Sequence, residues 1–158
     1  PLKKKPNKSM IITLGLTLLI IVTIISGGFV AGLKAGKIYN TYPMMGDYWL
    51  PPGLFSLQPI WINFFENLIT VQLVHRVLTA ITFIAIILYW LKMRKSNLTR
   101  RIRTANNTLM NIAVLQFVLG ISTLILYVPI SLAAAHQATA LILLTVALYL
   151  CHAQIRGQ

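Results

Sequence analysis

The chain has 158 residues, 57% of them hydrophobic, with 14 Lys+Arg against 2 Asp+Glu and a formal net charge of +12. Such a charge ordinarily points to nucleic acid or an acidic surface, yet only 10% of residues are charged, against ~25% in a soluble domain. At a mean hydropathy of +0.76 a soluble fold lacks the polar sequence to cover itself, and the apolar excess excludes disorder. No nucleic-acid partner is expected, and membrane lipid takes its place.

Residues 1–9, PLKKKPNKS, form a basic, Pro-containing tail. No short apolar core with a small-residue cleavage site follows, so the tail reads as an internal linker of something larger. Four nearly charge-free stretches then run over about residues 10–33, 69–91, 105–127 and 130–151. Each exceeds the ~20 residues that carry a helix across the ~30 Å hydrocarbon layer. The predicted fold is an all-α integral membrane protein: a four-transmembrane-helix up-down bundle over 10–153 with a long outer lid segment over 34–68.

The bases give the direction. Lys3, Lys4, Lys5 and Lys8 precede span one; Lys92, Arg94, Lys95, Arg100, Arg101 and Arg103 lie between spans two and three; Arg156 follows span four. The other side holds Lys34, Lys37, Asp47, Glu66 and an uncharged turn at Val128–Pro129. The positive-inside rule puts both termini in the cytoplasm or its equivalent.

Span one ends in SGGFVAGLKAG, where Gly28, Gly32 and Gly36 fall every fourth residue. That stripe admits a neighbouring backbone or a flat cofactor, and the two readings are compatible. The outer segment holds eight of the fifteen aromatics (Tyr39, Tyr42, Tyr48, Trp49, Phe55, Trp61, Phe64 and Phe65). Their density suits the membrane interface, with residues 54–65 lying flat as a lid. In span two, Gln72, His75, Thr79 and Thr82 make one polar stripe, which must face protein rather than lipid. Span four sets His136 among Ala133, Ala134, Ala135, Ala138 and Ala140.

His75 and His136 each sit roughly 9 Å below the outer face. Spans two and four are parallel and stand on a bundle diagonal of ~11–14 Å. A lone intramembrane histidine reads equally as an interhelical hydrogen-bond donor; two at one depth favour a shared metal or haem. Zinc lacks a third and fourth ligand, whereas bis-imidazole ligation of haem iron needs only two. Arg76, the one permanent charge within a span, either meets a haem propionate or snorkels to headgroups. Glu66 either caps span two or is solvated, and Gln116 reads as interhelical glue. Cys151 reads as a small packing residue, because Leu148 stands where a c-type haem motif needs Cys. His152, ~24 Å deeper than His136, reads as interfacial.

The runs SGGFVAGLKAGKIYNTYPMMGDYWLPPG (26–53) and NFFENLITVQLVHR (63–76), with the His136 helix, resemble the C-terminal half of haem A synthase. The likeness is strongest to the branch found in alphaproteobacteria and mitochondria. The resemblance implies eight transmembrane helices in two similar bundles, and oxidation of the C8 methyl group of haem O to the formyl group of haem A for cytochrome oxidase biogenesis. It implies that His75 and His136 are axial ligands of a haem b iron, with Arg76 as part of the family's His-Arg pair. In the family's N-terminal half a catalytic Glu stands three residues before the first histidine. Gln72 holds that place here, which moves substrate oxidation to the other half. Some bacterial members carry a loop cysteine pair that this chain lacks.

The implied partners are the N-terminal four-helix half, haem O as substrate, haem O synthase, cytochrome oxidase assembly factors, and quinone or another electron acceptor. The implied location is the bacterial inner (plasma) membrane, multi-pass, or alternatively the mitochondrial inner membrane. Two other readings stand beside this one. A stand-alone bis-His b-type cytochrome passing electrons to or from quinol would use the same ligands, and an assembly factor would use its histidines only for hydrogen bonds.

Overall fold

A computed structural model of the chain describes residues 8–156; the lysines at 3–5 lie outside them. Four helices follow in order: α1 Lys8–Gly32, α2 Leu68–Arg94, α3 Arg100–Ile125 and α4 Ile130–Arg156. All four are long and apolar enough to cross a membrane. α1 packs on α2 and α4, and α3 does the same, so α2 and α4 stand on a diagonal as the span directions require.

Two helix ends differ from the expected spans. α3 starts at Arg100 rather than near 105, because Thr99 accepts a hydrogen bond from the Ile102 amide and caps the helix there. Arg100, Arg101 and Arg103 are thus helical. α4 likewise runs on beyond residue 151 to Arg156. A charge-free window marks the part inside hydrocarbon; caps mark the helix.

Each helix carries an apolar outer face. On α1, Ile11, Leu14, Leu18, Val22, Ile25 and Phe29 are exposed at three- and four-residue spacing, one continuous stripe facing outward. The inner faces meet in a core of Leu16, Ile20, Ile86, Tyr89, Met93, Leu109, Leu143 and Leu150 with Ala105, Ala113 and Ala147. This core fills the bundle half away from the outer segment. Beside it the Tyr89 hydroxyl lies 2.8 Å from Thr13 Oγ1 and accepts from Gln154 Nε2 at 2.8 Å, tying α1, α2 and α4 together. Cys151 is free and buried, its sulfur 3.4 Å from Thr17 Oγ1. His152 is exposed.

The outer segment is a folded cap of turns, with short 3₁₀ turns at Ala35–Lys37 and Ile60–Phe64. Two asparagines staple it. Asn63, fully buried, donates to the carbonyls of Leu57 and Ile60 and accepts from the Leu57 amide. Asn67 donates to the Gly53 carbonyl and to Asn63 Oδ1, while its own Oδ1 accepts from Ile69 and Thr70. Asn67, not Glu66, therefore caps α2, and Glu66 is exposed. Trp49 and Trp61 are 67% and 61% exposed, in keeping with aromatics at an interface.

The α3–α4 turn crosses the same end. The Val128 amide bonds the Thr123 carbonyl and the Tyr127 amide the Leu124 carbonyl, the paired bonds of a Schellman stop. Tyr127 (φ 61) takes the left-handed position that glycine usually fills, and Val128 follows at φ 59.

Candidate functional site

Between the core and the cap the helices enclose a cavity of ≈ 550 Å³. Ile20, Ile86, Ala113 and Leu143 belong to both core and cavity and form its floor. The walls are mainly apolar, with Phe83 and Phe117 stacked at 4.5 Å and nearly parallel on one side. His75 from α2 and His136 from α4 both line it. The polar stripe predicted on span two is there entire: Gln72, His75, Thr79 and Thr82 all face the cavity.

Each imidazole rests on a glycine of the preceding helix. A Cβ on Gly27 would come within 3.1 Å of His75 Cε1, and one on Gly120 within 2.9 Å of His136 Cε1. At Gly120 that approach is closer than real Cβ atoms make, and at Gly27 it is tight enough that the imidazole would have to give by a few tenths of an ångström. The every-fourth glycine stripe is mixed, since a Cβ on Gly36 would meet Val128 at 3.3 Å. Gly28 and Gly32 would meet nothing within 4 Å, and Gly28 opens onto the cavity. Helix α1 approaches α2 closely at the histidine through Gly27, one residue off the stripe.

The ring of His75 is oriented by Ser26. Ser26 Oγ donates to the Thr23 carbonyl at 2.7 Å and lies 2.8 Å from His75 Nδ1. With the single hydroxyl proton on the Thr23 carbonyl, Ser26 accepts from an Nδ1–H. In that tautomer Nε2 keeps a lone pair, the arrangement a metal-ligating imidazole needs.

The cavity also gathers unpaired polar atoms. Among the described residues five buried side-chain atoms lack a hydrogen-bond partner: Gln72 Oε1, Arg76 Nε, Asn106 Oδ1, Gln116 Oε1 and His136 Nδ1. All but Asn106 belong to residues lining this cavity. Buried polar groups are normally satisfied, so the concentration sets this cavity apart from the close-packed core. The side-chain oxygen of Gln116 has no partner, while its backbone carbonyl lies beside the His136 ring.

Arg76 turns to the cap rather than to headgroups. Its Nη atoms donate to the cap carbonyls of Tyr39 at 2.8 Å, Thr41 at 2.9 Å and Met44 at 3.1 Å. Gln72 Nε2 shares the Tyr39 carbonyl. The two Nη groups thus bond cap backbone while Nε stays unpaired, and the guanidinium anchors residues 39–44 over the cavity. Lys34 and Lys37, unremarked in the sequence beyond their side of the membrane, line the same outer mouth. Asn40 links the cap to the other side of the bundle, donating to the Leu124 carbonyl at 2.8 Å.

A profile of the cytochrome oxidase assembly protein family matches residues 1–148. The chain is 47% identical over 143 residues to heme A synthase of Nitrosospira multiformis, covering 90% of the chain and 40% of that protein. It is 45% identical over 141 residues to heme A synthase COX15 of Arabidopsis thaliana, covering 89% of the chain and 31% of the relative. For the Homo sapiens COX15 protein the identity is 48% over 132 residues, 84% of the chain and 32% of the relative. The chain therefore spans roughly a third to two fifths of the length of these relatives. No solved structure matches it. With four membrane-crossing helices and a profile match over nearly its whole length, the chain belongs to the cytochrome oxidase assembly protein family that includes the haem A synthases.

Proposed function

We propose that this chain is the haem b-binding, C-terminal half of a haem A synthase, with His75 and His136 as the two axial ligands. The carrying observation is one apolar cavity that joins two imidazoles, each seated on a glycine, with four unpaired polar atoms in its lining residues. The donor set fits the group. Two neutral imidazoles are a poor site for a bare divalent ion but complete the coordination of a haem iron. Gly27, Gly28 and Gly120 leave the width a flat macrocycle needs, and Lys34, Lys37 and Arg76 place positive charge at the outer mouth for its propionates.

A haem bound there supplies a one-electron redox centre. The chain does the rest. Ser26 holds the His75 tautomer, Gly27 and Gly120 fix both rings, and the apolar walls keep water from the iron. The cap, clamped by Arg76, closes the outer end. Gln72 offers an amide where a proton-abstracting role would need a carboxylate, so this half carries electrons. Oxidation of the haem O methyl group to a formyl group belongs to a partner bundle, the N-terminal half of the same protein. Haem O synthase, oxidase assembly factors and a quinone or other electron acceptor are its further partners. The location is the bacterial inner or mitochondrial inner membrane, with the basic ends on the cytoplasmic or matrix side.

The test is the haem A content of membranes that depend on the intact protein. His75→Ala and His136→Ala should each reduce extractable haem A at least tenfold with the protein still present in the membrane. Unchanged haem A in both variants would refute the proposal.

A further inference from the structure

A second cavity, of ≈ 700 Å³, is an open groove between the first turns of α3 and the facing turns of α4. Ala105, 4% exposed, and Val146, packed against the core, form an apolar floor. Thr104 and Thr108 on α3 face Tyr149 across it, and Arg100 and Arg101 stand at its mouth. Arg101, Thr104 and Thr108 follow helical spacing, so cation and hydroxyls share one face of α3.

Among the described residues these arginines have no acidic side chain to pair with. Its only two acids, Asp47 and Glu66, lie in the outer segment at the opposite end of the bundle. The groove begins where the bases cluster and runs into the membrane-crossing part of both helices. Guanidinium groups bind phosphate oxygens through paired, charge-assisted hydrogen bonds, and a basic pocket between transmembrane helices suits an anionic lipid headgroup. An acyl chain can follow the apolar floor where a water-soluble phosphate has nothing to bury.

We propose that this groove binds one anionic phospholipid, its phosphate on Arg100 and Arg101 and an acyl chain along Ala105 and Val146. The site lies at the end of the bundle away from the histidine cavity and does not depend on what that cavity holds.

The experiment is native mass spectrometry of the intact protein purified from membranes, titrated with phosphatidylglycerol or phosphatidylcholine. Wild type should retain one phosphatidylglycerol in preference to phosphatidylcholine. Arg100→Gln/Arg101→Gln should weaken that preference about tenfold or more, while Lys92→Gln/Lys95→Gln, an equal charge loss outside the groove, should not. Thr104→Trp, an exposed position whose indole would fill the groove without changing charge, should also displace the lipid. Excess inorganic phosphate should not compete. Equal losses from the two double variants would mean diffuse surface attraction and overturn the proposal. Retention in Thr104→Trp, or displacement by inorganic phosphate, would overturn it as well.

Discussion

At the scale of single residues, the site depends on what two glycines lack. Gly27 and Gly120 are 48 and 16 residues before the histidines they support, and neither is distinguishable by composition from the chain's other glycines. Only the fold shows that an added methyl would strike an imidazole at one position and meet open space at another. Gly120→Ala should displace His136 and lower haem occupancy severalfold, read as haem per polypeptide, whereas Gly15→Ala, with nothing within 4 Å of its added carbon, should leave occupancy unchanged. Ser26→Ala removes the acceptor of the His75 Nδ1–H. It should weaken haem binding by ~10–100-fold, the usual cost of losing a second-shell partner, and shift the midpoint potential of the remaining haem. The histidines themselves were legible in the sequence because polar side chains in a membrane helix are few. Their supports were not, since glycine and serine are ordinary there.

At the scale of elements, the four helices were legible from hydropathy, while their ends were set by side chains that hydropathy ignores. Thr99 and Asn67 cap α3 and α2 through local hydrogen bonds, which leaves Glu66 with the solvated of its two expected roles. Asn67→Ala removes a cap worth ~1 kcal/mol together with its bonds to Gly53 and Asn63, so the thermal midpoint should fall and protease should cut within the cap. The cap's internal order was hidden because it rests on carbonyl–amide pairs rather than on a hydrophobic period or a disulfide. Arg76 belongs to the same lesson: the charge was visible, but its partners are backbone carbonyls, which sequence does not display. Arg76→Gln should speed proteolysis between residues 39 and 50, and a substitution that left the cleavage rate unchanged would remove the clamp from the account. The turn between α3 and α4 stores a different kind of tension. Tyr127→Gly at a left-handed position should stabilise the protein by about 1 kcal/mol, read as a higher thermal midpoint.

At the scale of the molecule, the bundle is divided into a close-packed half and a hollow half, and the site sits at their boundary. The diagonal placement of α2 and α4 follows from short connections and alternating direction. The uneven distribution of the bases predicts which end faces the cytoplasm or matrix. In a Cys151→Ser background, Ser96→Cys should react with a membrane-impermeant maleimide only from the cytoplasmic or matrix side, and Asp47→Cys only from the opposite one; the reverse pattern would invert the topology. What charge could not reveal is the hollow, because a cavity is the absence of side-chain volume at positions spread over four helices. The central claim is that His75 and His136 share one iron across that hollow. The most direct measurement is a reduced-minus-oxidised difference spectrum of the purified intact protein, wild type beside His75→Ala and His136→Ala. The account predicts a low-spin b-type signal from this half that each substitution abolishes or converts to high spin; a signal unchanged in both variants would contradict it.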